Sequence, residues 1–407
     1  GTAGIAGRVQ PPDGNHLEES GGDGGMRYTI GQLAEIIDGD RGKNYPKQDE
    51  FYPQGYCLFL NTGNVTKEGL IFEENQFIMK EKDEALRNGK LKRGDIVYTT
   101  RGTVGNAGYY NSSVPYENVR INSGMVILRS NGEIVDARFL YQILKSEYYR
   151  PYFKQYCTGS AQPQLPIKNF SQIYLNVPDI KTQHRIADIL SVYDNLIENN
   201  QKQIKLLEEA AQRLYKEWFV DLRFPGHENT KIVDGVPEGW RRGLLKELIS
   251  VNYGKDHKKA PDDGNIPVYG SGGLMRKCNK SLFSGEAVLI PRKGSLNNIM
   301  YVDETFWTVD TMFYATMKQP HTAVFVYFFV KAFDMYSMNI GAAVPSMTTK
   351  ILDAMDVVIP DKETLEKFDK LTKTYFNKIK TLQGQNERLK IARDLLLAKL
   401  MSGEVEV

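Results

Sequence analysis

From Gln183 to Phe219 apolar residues recur at every third or fourth position: Ile186, Leu190, Tyr193, Ile197, Ile204, Leu207, Ala211, Leu214 and Trp218. Asn200 interrupts the series, and Lys, Glu, Gln and Asn fill most positions between. Such a 4-3 alternation, kept over about five heptads, predicts a coiled-coil seam rather than the broader stripe of a surface helix. A helix this long cannot bury its own seam, so the pattern also predicts a partner helix.

The same chain supplies one. An offset of 182 carries Ile186, Tyr193, Ile197, Leu207, Leu214 and Trp218 onto Phe368, Tyr375, Ile379, Leu389, Leu396 and Leu400, with Leu382 and Asn386 inside the second series. Upstream, the same offset takes residues 158–165 onto 340–347, and Val177-Pro178-Asp179 onto Ile359-Pro360-Asp361. Residues 30–37 match 242–249 at an offset of 212, and the glycine-bounded stretch 94–102 parallels 285–294. β-Branched and aromatic residues between those glycines predict strands. Residues 136–149 and 322–335 predict short helices. The chain therefore contains an internal duplication, each copy a mixed α/β globule followed by one long helix.

The order globule, helix, globule, helix sends the second helix back along the first. The predicted fold class is α+β: two duplicated mixed α/β globules joined by two long antiparallel coiled-coil helices about a pseudo-twofold axis. The predicted segments are a flexible leader 1–26, a globule 27–180, a helix and junction 181–224, a globule 225–360, a helix 361–402 and a tail 403–407. Residue numbers across the seam sum to about 586, placing Asn200 opposite Asn386. A facing Asn pair would fix register, as buried polar residues do in other coiled coils; alternatively Asn200 is solvated at a loose point. Trp218, Phe219 and Phe224 are expected to seal the junction with the second globule, in preference to forming part of a docking surface. About 38 helical residues at ~1.5 Å each give roughly 57 Å. That is at most about 17 base pairs at ~3.4 Å per step, enough for two readers about one helical turn apart.

Composition narrows the partners without naming one. Charged residues are 25% of the chain and the net charge is +2, so no global basicity signals nucleic acid. Three cysteines (Cys57, Cys157, Cys278) without a CxxC pair argue against a disulfide framework or a zinc site, and fit a reducing cytoplasm. There is no apolar run of membrane-spanning length, so no membrane partner is expected.

The resemblance to a known family rests on specific stretches. Val177-Pro178-Asp179-Ile180-Lys181-Thr182-Gln183-His184-Arg185-Ile186 is similar to the entry into the first conserved helix of type I restriction-modification specificity (S) subunits, although Thr182 stands where that family often has Glu. Leu214-Tyr215-Lys216-Glu217-Trp218-Phe219-Val220-Asp221 resembles the end of that helix. Val236-Pro237-Glu238-Gly239-Trp240 and Ile266-Pro267-Val268-Tyr269-Gly270-Ser271-Gly272-Gly273 resemble the opening of its second recognition domain. The likeness extends over residues 27–402, with fewer motif residues in the second helix. It implies that the globules are DNA-recognition domains for the two halves of a bipartite, asymmetric double-stranded target. It implies that the helices set the spacer and dock two methylation subunits, with restriction subunits joining. This chain would bind no cofactor and do no chemistry, while the complex would use S-adenosylmethionine, ATP and Mg.

The residues agree on chemistry. There is no Asp/Asn-Pro-Pro-aromatic methyltransferase tetrad and no G-x-x-x-x-G-K-[ST] loop, and the five histidines show no metal-ligand spacing. Between Lys255 and Lys293 eight basic residues face four acidic ones, which suits phosphate positioning, with Arg the better reader of guanine edges. Candidate DNA contacts there are Lys255, Lys258, Lys259, Arg276, Lys277, Arg292 and Lys293; a solvated charged face is the competing reading. In the first globule they are Lys43, Lys47, Arg101, Arg120 and Gln162, the last either contacting adenine or capping the turn before Pro163. The rival to a DNA reader is a coiled-coil scaffold presenting two protein-binding modules. A fused methyltransferase-nuclease is a third reading, which the missing motifs disfavour.

Overall fold

Thr29 ends one strand and starts a helical turn: its Oγ1 accepts from Gln32 N at 3.3 Å while Gln32 Oε1 accepts from Thr29 N at 2.8 Å. This reciprocal cap joins β1 (Met26–Thr29) to α1 (Ile30–Leu33) and β2 (Ala34–Asp38). The computed structural model describes residues 25–159, 162–338 and 346–407. It divides into a first unit, of residues up to Asn199 with Gln385–Val407, and a second, Asn200–Gly384.

In the first unit there follow β3 (Cys57–Leu60), β4 (Val65–Thr66), β5 (Gly69–Leu70), β6 (Phe77–Ile78), α2 (Lys80–Ala85), β7 (Ile96–Thr99), β8 (Ala107–Tyr109), β9 (Val119–Ile121) and β10 (Met125–Ser130). One sheet has the antiparallel order β2-β10-β7-β8, and a second the order β6-β3-β9 with β3 and β9 parallel. Asp136 caps α3 (Ala137–Lys145), accepting from Arg138 N at 2.8 Å and Phe139 N at 3.1 Å. Phe139, Leu140 and Ile143 of that helix share a core with Tyr98, Val126 and Leu128 of the first sheet. After α4 (Arg150–Lys154) and α5 (Ile167–Ser171), β11 (Tyr174–Val177) returns to pair with β1, Met26 opposite Val177.

The first long helix, α6 (Ile180–Tyr215), is started by Asp179, which accepts from Thr182 N at 3.2 Å and from Thr182 Oγ1 at 2.6 Å. Gln183, 1% exposed, donates to Pro178 O (2.8 Å) and Ile134 O (2.9 Å) and accepts from Asp136 N (2.9 Å), tying the helix start to the cap of α3. Ile186 and Leu190 share the unit's core with Leu397 and Leu400 of the chain's last helix. Beside them Asp194 holds Lys145 Nζ at 2.5 Å and Arg393 Nη1 at 2.8 Å, and Asn386 Nδ2 donates to Ile197 O at 3.5 Å. Burial pulls the Lys145 ammonium down to about 8, against the opposing pull of Asp194.

The second unit repeats the plan. α6 widens into a π-helical turn, Lys216–Val220, then come β12 (Ile232–Val233), β13 (Val236–Pro237), β14 (Arg241–Leu244), β15 (Ile249–Tyr253), β16 (Ile266–Gly270), β17 (Gly273–Cys278), β18 (Phe283–Pro291), β19 (Met300–Thr308), β20 (Met312–Met317), α7 (Ala323–Lys331), α8 (Thr349–Asp353), β21 (Asp356–Ile359) and α9 (Lys362–Met401). The six-stranded order β15-β20-β18-β19-β16-β17 contains the order of both main sheets of the first unit. They merge here because β19 is one strand of 9 residues, whereas β8 and β9 are separated by residues 110–118. Trp218, Phe224, Trp240 and Phe368 lie in one core, Trp218 and Phe368 with ring centroids 5.8 Å apart. The aromatic residues expected to seal the junction do so within this unit.

Three expectations shift. The duplicated beginnings align at 215, not 212: Leu244 N donates to Glu247 Oε1 at 2.8 Å, as Thr29 N does to Gln32, and Arg241 pairs with Ile359 as Met26 does with Val177. Apolar spacing in a short helical turn tolerates a three-residue slip, so sequence alone did not fix it. The leader assigned to 1–26 lies outside the described residues up to 24, and Met26 already belongs to β1. Finally, the long helices do not stand apart as separate segments: each is divided between the two units, because each portion packs on its own globule's core.

Candidate nucleic-acid interface

In the first unit β7 runs out at Thr99 and the chain turns. Thr100 N and Arg101 N both donate to Gly124 O (2.9 and 3.1 Å), and Thr100 O accepts from Leu165 N at 2.9 Å. Arg101 forms an isolated antiparallel bridge with Gln164. Gly102 follows with φ +71°, a left-handed conformation that glycine adopts without strain. Thr158 and Gln164 exchange backbone hydrogen bonds of 2.7 and 2.9 Å, which closes the loop carrying Gln162. Arg101, Gln162 and Gln164 are exposed together at this place.

The second unit builds the same turn. Arg292 N and Lys293 N both donate to Thr311 O (2.8 and 3.2 Å), and Arg292 O accepts from Met347 N at 2.9 Å. Lys293 bridges Ser346, and Gly294 has φ +84°. Leu165 and Met347 stand 182 apart, the offset of the sequence repeat, so Arg101 and Lys293 occupy equivalent positions. Neither side chain forms an ion pair among the described residues, and both are exposed. The Arg292 guanidinium lies 5.5 Å over the Tyr253 ring and donates to Asp310 O at 3.2 Å. Lys255, two residues past Tyr253, receives Trp307 Nε1 on its carbonyl at 3.0 Å.

Two candidates fall away. Arg120 is 5% exposed: Nε donates to Asp83 Oδ1 at 2.5 Å, Nη1 to Asn88 O at 2.7 Å, and Nη2 to Asp83 O and Leu86 O. Its position in β9 turns it inward, so it neutralises Asp83 and is not available to DNA. Arg276 is held by Asp262, His257 O and Ala260 O, where it fixes the turn bearing Lys258 and Lys259. Lys43, Lys47, Lys255, Lys258, Lys259 and Lys277 are exposed.

The sequence did not single out Gln164, Arg41 or Tyr253. Arg41 Nη2 donates to Ser123 O at 3.2 Å, next to the Gly124 that anchors the Arg101 turn. Gln164 was within reach, since the repeat aligns it with Ser346. Among the described residues no cluster of His, Cys, Asp or Glu could hold a metal ion, and burial pushes the Cys57 thiol up to about 12. No described helix is long and apolar enough to cross a membrane.

A family model described as "Type I restriction modification DNA specificity domain" matches residues 24–209 and again 237–390, once on each copy of the repeat. The chain belongs to the type I restriction-modification DNA specificity family. Among curated relatives, the type I restriction enzyme MjaIX specificity subunit of Methanocaldococcus jannaschii is 24% identical, with 77% of this chain and 78% of that protein covered. The HindI specificity subunit of Haemophilus influenzae is also 24% identical, with 90% of this chain and 98% of that protein covered. A crystal structure of the type I restriction-modification S subunit from M. genitalium matches with a TM-score of 0.52 at 19% identity, covering 92% of this chain and 96% of that one. That similarity speaks for a shared fold.

Proposed function

We propose that this chain is the DNA-reading specificity subunit of a type I restriction-modification complex, each unit reading one half of a bipartite, asymmetric duplex target. The observation that carries this reading is that the family model matches twice, on two units that each expose, at the same place in the fold, a cation with no ion-pair partner among the described residues. Divergence between the copies, Gln164 against Ser346 beside those cations, fits two unlike half-sites. The helices α6 and α9, of 36 and 40 residues, pair as an antiparallel coiled coil that sets the unread spacer and docks two methylation subunits. Restriction subunits join that core in the cytoplasm. This chain binds no cofactor; S-adenosylmethionine, ATP and Mg serve the partner subunits of the complex.

Binding to duplex DNA tests this against a scaffold for protein modules. The purified chain is expected to bind duplex with log K falling linearly in log salt concentration. Absence of any salt-sensitive duplex binding, alone and with the methylation subunit, would favour the scaffold.

A further inference from the structure

We infer that Arg101 and Lys293 are a matched pair of DNA-phosphate anchors, one per unit, that position the duplex without reading its sequence. The inference rests on the DNA-reading function proposed above and assigns residues to it. In both units the cation's own N–H donates to a carbonyl across the sheet end, Gly124 O at 3.1 Å or Thr311 O at 3.2 Å. The preceding carbonyl is held from the other side, by Leu165 N or Met347 N, at 2.9 Å in each case. A glycine of positive φ follows in each, at +71° and +84°. The backbone carrying the cation is therefore fixed before any ligand arrives, which lowers the ordering cost of a contact.

The side chains at this shared position decide what is contacted. Two diverged units retain a positive charge there, exposed and without an ion-pair partner among the described residues, but one uses Arg and the other Lys. Arg and Lys both reach guanine O6 and N7, but with different geometry, Arg through a planar fork and Lys as a point charge with rotatable donors. An Arg/Lys exchange therefore preserves a phosphate contact better than an oriented base contact. A phosphate needs charge and a donor, which both residues provide. The neighbouring positions, Gln164 and Ser346, do not keep their chemistry, as expected of residues that differ between half-sites.

The test uses the full-length chain with the variants R101A, K293A, the double variant, and the charge-keeping R101K and K293R. K231A, removing an exposed charge outside both long helices and both turns, serves as the control. Duplex affinity is measured from low to high salt, and methylated bases are mapped in cells carrying each variant with the methylation subunit. Each alanine variant should lower the salt slope by about 0.9, the double variant by about twice that. The charge-keeping variants should restore the slope, and the methylated motif should stay unchanged. Slopes equal to that of K231A would overturn the inference while leaving DNA reading intact. So would a motif changed at one half-site by R101K or K293R, which would make that residue a base reader. A wild-type chain without salt-dependent duplex binding would remove the function and the anchors together.

Discussion

Arg101 and Arg120 look alike in sequence and have opposite fates in the fold. Arg120 is consumed by Asp83, whose carboxyl burial would raise but Lys90 and Arg120 hold below its ordinary value. Removing one member of a buried pair leaves the other uncompensated. R120A should therefore cost about 3 kcal/mol in denaturant unfolding while duplex affinity per folded molecule stays unchanged; lost affinity at full stability would return Arg120 to the DNA contacts. Lys145 gives a pH signature. Its side chain is enclosed with Asp194, Arg393, Asp394 and Tyr141, and binds its proton only up to about 8 in the fold against 10.5 for an ordinary lysine. Between those values the unfolded chain holds the extra proton, so stability rises with pH. Relative to K145M, the wild-type unfolding free energy should climb by up to about 3 kcal/mol over that window, at about 1.4 kcal/mol per pH unit; a flat difference would contradict it.

At the scale of elements, the duplication repeats individual hydrogen bonds. Asp179 caps α6 through Thr182, and Asp361 caps α9 through Thr364, accepting from its N at 2.9 Å and Oγ1 at 2.7 Å. Asp361 also receives Trp240 Nε1 at 2.9 Å, so D361A should destabilise its unit by about 1 kcal/mol or more and exceed D179A. Equal losses measured by urea unfolding would mean that the Trp240 bond contributes nothing. These elements explain what could be read in advance. The Val-Pro-Asp and Ile-Pro-Asp repeats, the two long helices α6 and α9 and the strands after Gly94 and Gly285 were legible because burial imposes periodicity and caps demand particular side chains. The alignment of β1 with β14 was not, since short apolar elements carry too little pattern. Nor was the inward turn of Arg120, because three residues of β9 show no alternation strong enough to assign a face. The Arg101–Lys293 equivalence was half visible: both precede a glycine, but only backbone bonds to residues far along the chain show the positions to be the same.

For the whole molecule, the family model matches twice, on two units that share one topology. If α6 and α9 set the distance between half-sites, adding one heptad to both should lengthen the unread spacer and leave both half-site sequences as they were. A spacer that stayed fixed would mean that the helices do not measure it. The central claim, that this chain chooses the DNA sequence, is tested most directly by mapping modified bases across a genome in which it is expressed with its methylation subunit. The account predicts a gapped motif with two unrelated halves, lost when this gene is deleted. An active methylation subunit whose motif is unchanged by the deletion would contradict it.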